Sequence, residues 1–260
     1  MRRAAAAAAL CATLTVFAAA PAAACLPAAM DAALPGSHTL DATGASAAWY
    51  EDPTAILGHG IMGEVADAAT LAAILYPDTV PCAVRRLAAG PGHVFEDIAP
   101  RLHDLDGDHR PEVIAVRSSL TEGAQLAIYA ARGDGLALIA ATPPIGRRHR
   151  WLAPAAIADL DGDGAVEIAY VDRPHLARVL RIWRFADGAL TELARFDGVT
   201  NHRIGEPVIR GGLLDCGTGP EIVLASADWT RTLALRFDGR AIAPRDIGPW
   251  RDGAALRCGG

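Results

Sequence analysis

Asp159, Asp161 and Asp163 stand at alternate positions in the stretch DLDGDG, residues 159–164, and Asp104, Asp106 and Asp108 repeat that spacing in DLDGDH, residues 104–109. Three carboxylates brought to one side of a tight loop repel one another unless a cation gathers them. A hard divalent ion that takes roughly six to eight oxygens in a pliable cage suits such a loop, and calcium is the ion expected. Counted from the first aspartate, the seventh position offers a backbone carbonyl and the ninth a closing carboxylate. The first set is then Asp104, Asp106, Asp108, the carbonyl of Arg110, and Glu112; the second is Asp159, Asp161, Asp163, the carbonyl of Ala165, and Glu167. Gly164 suits a left-handed turn, whereas His109 takes its place in the first loop, so weaker calcium binding is expected there. An EF-hand would place glutamate at the twelfth position, where Ala115 and Tyr170 stand instead, so that reading fails.

The loops belong to a repeat. Glu112, Glu167 and Glu221 are separated by 55 and 54 residues, and each opens a short apolar run. PEVIAV (111–116), QLAIYAA (125–131), LALIAA (136–141), VEIAYV (166–171), VLRIWRF (179–185), PEIVLAS (220–226) and TLALRF (232–237) read as strands. Turn signals such as GDG, ADG and FDG lie between them. A weaker unit covers 46–90, with SAAWY, HGIMGE, LAAILY and AVRRLAA as its strands and a short helical turn conceivable over Glu64–Leu75. In the third unit LLDCGTGPEIVL keeps Asp215 and Glu221 but is shorter and lacks the other aspartates, so it is expected to have lost its metal. A period of this length carrying four strands predicts an all-β fold, a β-propeller of about four blades, with five as the alternative.

The tandem pattern, an apolar residue followed by D-x-D-G-D and a glutamate opening the next strand, resembles the FG-GAP or VCBS repeats of integrin-α-like propellers. The likeness covers Phe95 to Trp250 well and 46–90 poorly. It implies calcium held in the loop between the first two strands of a blade by the ten positions named above. It also resembles secreted bacterial proteins of this repeat class, for which it implies a fold and no reaction.

In a propeller the innermost strand of each blade begins near the central channel, so the polar residues ahead of each acidic loop should converge. Those residues are His59, Glu96, Arg148, Trp151, His202, Arg203 and Glu206, candidates for an anionic or sugar ligand, or for a metal held through His59 and His202. A rim of solvated charges and inter-blade salt bridges is the competing reading. No catalytic residue is expected: G-x-S-x-G and H-E-x-x-H are absent. Asp172 and His175 in DRPH lack a nearby nucleophile and read as loop, and RGD at 132–134 reads as a hairpin turn. The expected function is a non-catalytic, calcium-binding module for a protein or glycan. The alternative is a periplasmic hydrolase or lyase built at the channel mouth from His59, Glu96, His202 and Glu206.

At the N-terminus Arg2 and Arg3 precede an apolar, alanine-rich run that ends in small residues, the pattern of a secretory signal over residues 1–24. A flexible lead-in is expected over 25–45 and the propeller over 46–260, with blades near 46–92, 93–147, 148–200 and 201–250 and a tail from 251. Export to the periplasm or beyond follows, with membrane attachment only through lipid on Cys25. The formal charge of −6 argues against nucleic acid as a partner. In an oxidising compartment Cys216 and Cys258 are the favoured pair, tying the tail back; Cys82 would be free if Cys25 carried lipid.

Overall fold

The computed structural model describes residues 29, 31–78, 80, 82–253 and 257–258. The segment read as a secretory signal, residues 1–24, and Cys25 lie outside the described residues. Among those described, the chain forms strands arranged in three antiparallel sheets. None of its described helical residues makes a segment long and apolar enough to cross a membrane.

The first sheet holds β1 (Thr39–Leu40), β2 (Ala47–Thr54), β3 (Asp67–Ile74), β4 (Arg85–Ala88), β5 (His93–Phe95), β6 (Arg101–His103), β7 (Glu112–Ser119), β8 (Gly123–Arg132) and β9 (Gly135–Ala141). The second holds β10 (Leu152–Ala158), β11 (Glu167–Asp172), β12 (Val179–Ala186) and β13 (Ala189–Asp197). The third holds β14 (Val199–Thr200), β15 (Gly212–Asp215), β16 (Pro220–Ser226), β17 (Arg231–Phe237) and β18 (Ile242–Pro249). The repeat is visible in the pairing. Strands β6 to β9, β10 to β13 and β15 to β18 are each a four-stranded meander, and each has a register shift between its last two strands, at Ile128/Tyr129, Ile182/Trp183 and Thr232/Leu233.

Side chains on a strand alternate between faces, and here both faces are buried. Ile114 and Val116 of β7 pack with Ile168 and Tyr170 of β11. Val113 and Ala115, the alternate residues of β7, pack instead with Tyr50, Leu71 and Phe95. Ala169 and Val171 of β11 turn to Ile222 and Leu224 of β16. Each repeat therefore covers the next, and the near-continuous apolar runs of β7, β11 and β16 follow from that double burial.

Four expectations change. The units expected at 46–92 and 93–147 are not separate sheets: β5 lies between β3 and β7, pairing Ala68 with Phe95 and Phe95 with Arg117, and so fuses them into one nine-stranded sheet. The helical turn over Glu64–Leu75 is absent; DAATLAAI is strand β3, because burial against β2 and β4 outweighs the helical preference of its alanines. HGIMGE is a run of turns rather than a strand. The lead-in is ordered from Leu34 onward: the Leu34 N–H donates to the Tyr50 carbonyl, the buried Ser37 hydroxyl to the Leu34 carbonyl, and β1 pairs with β2.

Cys216 and Cys258 form a disulfide with a Cα–Cα distance of 5.4 Å, holding the tail to the strand end at Asp215. Cys82 is disulfide-bonded as well, so it is not a free thiol.

Candidate functional site

Each acidic loop joins the first two strands of a meander, β6 to β7 and β10 to β11, and the two loops share one framework of hydrogen bonds. Asp104 accepts the N–H groups of Gly107 (2.8 Å) and His109 (3.0 Å); Asp159 accepts those of Gly162 (2.7 Å) and Gly164 (3.0 Å). Asp106 and Asp108 accept from Asp108 and Arg110, as Asp161 and Asp163 do from Asp163 and Ala165. The closing glutamates accept from Leu105 and Leu160 at 2.9 and 2.8 Å. His109 adopts φ 66°, where Gly164 has 90°. A side chain there costs roughly 1 kcal/mol, yet the loop closes through the same bonds.

Oxygens of Asp104, Asp106 and Asp108 lie within 4.8 Å of one another, and so do those of Asp159, Asp161 and Glu167. What differs is the cation already present. In the second loop the guanidinium of Arg184, from β12, donates to Asp163 (2.7 Å), to Asp161 (3.3 Å) and, through Nε and Nη2 together, to the single oxygen Oε1 of Glu167. Arg184 is the cross-strand partner of Glu167. In the first repeat the register that sets Val113 opposite Tyr129 puts Ala130 at the matching place. There, among the described residues, the ion pair of the aspartates is with the exposed His109, 3.8 Å from Asp104. In the third repeat Glu221 meets Arg245 at 2.5 Å and Arg236 at 4.0 Å. Burial, with Asp106, Asp108 and Asp104 adding to it, pushes the Glu112 carboxyl up to about 7. Burial raises Glu167 also, with the Leu160 N–H and Arg184 pulling it back.

The other candidate residues divide. Four come together around Glu96, which is buried at the end of β5. Its carboxylate accepts from His59 Nδ1 (2.5 Å) and from the Ser118 hydroxyl, and its backbone carbonyl accepts the indole N–H of Trp151 (2.8 Å). His202 meets Trp151 edge to face, ring centroids 4.8 Å apart. Arg148 instead donates to the carbonyls of Ile56 and Leu57, Arg203 lies over Trp229 and pairs with Asp252, and the Glu206 carboxylate is held by Arg210 at 2.7 Å.

Three further residues join the cluster. His149 stacks on His59 at 4.8 Å, and His175 Nε2 lies 3.1 Å from His202 Nδ1. Asp67, at the start of β3, has its carboxyl pushed up to about 7 by burial and then by Glu96, with His59 working the other way. Only the DRPH loop hinted at His175, and no spacing in the sequence ties it to His202. A cavity of about 250 Å³ opens beside Trp151, with His59, Arg150 and His175 on its walls.

Comparison with known proteins bears on the loops. Residues 104–170 match the family described as FG-GAP-like repeat, a span that runs from the first acidic loop through the second. No curated protein matches the chain. Among solved structures the chain is similar to the rhamnogalacturonan lyase YesW, with 14% identity and a TM-score of 0.43 over 82% of this chain and 48% of that one. The chain thus spans about half the length of that enzyme.

Proposed function

We propose that this chain is an exported β-propeller of FG-GAP type that binds calcium in its acidic loops and serves as a binding module for a protein or glycan. The tandem four-stranded meanders, each packed on the next, and the matched repeat over 104–170 support the propeller. The observation that carries the calcium reading is the shared framework of the two loops, with a guanidinium among the carboxylates of the second and, among the described residues, none hydrogen-bonded to those of the first. Asp104, Asp106, Asp108, the Arg110 carbonyl and Glu112 fit a hard cation in their donor chemistry. The second loop fits one less well, because Arg184 already neutralises Asp161, Asp163 and Glu167. Calcium is therefore assigned first to the loop that holds His109, the reverse of what glycine content alone suggests. Bound there, the ion would neutralise carboxylates that otherwise repel and add its binding energy to folding.

The hydrolase or lyase reading needs His59, Glu96, His202 and Glu206 at one point. His59 and Glu96 meet, but the Glu206 carboxylate is engaged by Arg210, which favours binding over turnover.

The test is a thermal melt with calcium and then with excess chelator. Wild type is expected to lose several degrees on chelation, an Asp104→Ala, Asp106→Ala variant to show no response, and Arg184→Met to become more dependent on calcium than wild type. A wild-type melt that is identical with calcium and with chelator would sink the calcium reading. A response abolished only by Asp159→Ala, Asp161→Ala would move the ion to the second loop.

A further inference from the structure

The cavity beside Trp151 has no acidic side chain on its walls, although the chain as a whole carries a formal charge of −6. Its polar groups have definite roles open to a ligand. His59 turns Nδ1 to the Glu96 carboxylate, which can only accept, so Nε2 is the ring atom left toward the cavity. His202 Nε2 lies 2.8 Å from the Glu206 carbonyl and must donate to it. In the neutral ring Nδ1 then accepts from His175 Nε2–H; the His175 ring also hydrogen-bonds to the His202 backbone, and with its proton on Nε2 its Nδ1 is an acceptor. Burial and then His202 lower the His175 pKa to about 4, so that ring is neutral in ordinary buffers. Arg173 is occupied by Asp172, whereas the half-buried Arg150 guanidinium has no hydrogen bond or ion pair among the described residues. Leu176 and Ile204, 59% and 70% exposed, form an apolar rim.

A free guanidinium calls for an anion; an acceptor imidazole nitrogen calls for an O–H or N–H donor; the rim calls for carbon. We propose that this cavity binds a hydroxylated organic anion the size of one sugar acid, its carboxylate on Arg150 and a hydroxyl on His175 Nδ1. A cavity of about 250 Å³ suits a ligand of roughly a dozen non-hydrogen atoms rather than an oligomer. The proposal deepens the binding-module reading and rests on it, but not on calcium.

The experiment is titration calorimetry of the full chain with glucuronate, and with glucose and propionate, which carry the hydroxyls alone and the anion alone. Glucuronate is expected to bind at least roughly tenfold tighter than either. Arg150→Gln is expected to weaken glucuronate by roughly tenfold or more with an unchanged melting temperature, since its guanidinium supports nothing else. His175→Phe should weaken glucuronate while leaving propionate alone. Equal binding of glucuronate and glucose, no binding of glucuronate, or full affinity in Arg150→Gln would each overturn the proposal. If the melt responds to calcium while glucuronate fails to bind, this cavity's role falls and the calcium module stands. If glucuronate binds and the melt ignores calcium, the reverse holds.

Discussion

Arg184 and Ala130 hold equivalent places in adjacent repeats, and under the calcium proposal that single difference is what sets the first acidic loop apart from the second. A guanidinium on the neighbouring strand is always present, whereas an ion must be captured. Neither residue could be singled out from sequence: Arg184 lies seventeen positions beyond Glu167, and only the hairpin register brings them opposite. The aspartates themselves were legible because all their spacing is local to one turn. His175 was illegible for the same reason as Arg184, since its partner His202 lies 27 residues on, in the connection after β14. Asp67 supplies a titration test. Its carboxyl is raised above the unfolded value by burial and by Glu96, so the stability it lends is fully present below about pH 4 and is lost as pH rises through about 7. Asp67→Asn is therefore expected to melt close to wild type at pH 4 and above it at pH 8. A constant offset between the two melting curves across that range would count against a shifted carboxyl at this position.

The elements were read most securely where strands are bounded by turn residues and buried on both faces, as in β7, β11 and β16. Alanine blurred the reading elsewhere. DAATLAAI has no β-branched run to mark it as a strand, and its pairing with β2 and β4 comes from tertiary context. The turns at 59–64 were likewise hidden behind an apolar pair, Ile61 and Met62, that is buried in the core between the first two sheets. That segment has a tight fit of its own. Gly63 sits at φ 64°, and a Cβ there would lie 2.5 Å from the Gly205 carbonyl oxygen, while the Gly205 N–H donates to the Ile61 carbonyl. Gly63→Ala is expected to cost roughly 1–3 kcal/mol, from the backbone clash and the left-handed backbone together. Chemical denaturation measures it, and a variant as stable as wild type would show that the two segments part without penalty.

For the molecule as a whole the sequence period gave the tandem order of repeats, but the fusion of the first two into one sheet depends on three-residue strand β5 and could not be counted in advance. The Cys216–Cys258 bridge closes a span of 42 residues over the last repeat. Removing it in a Cys216→Ser, Cys258→Ser variant frees the unfolded chain and is expected to cost about 2–4 kcal/mol, read as a lower denaturation midpoint. An unchanged midpoint would mean that the tail adds nothing to the last sheet. The histidine cluster has a consequence in time as well as in space. His59 precedes β3, Trp151 stands just before β10, and His202 follows β14, so the cluster's residues leave the ribosome with more than half the chain between the first and the last. No early fragment can hold the cavity. Its walls are complete only once Ile204 has been made, so a chain stopped within the second sheet has the strands that bury Trp151 but not the cavity they border.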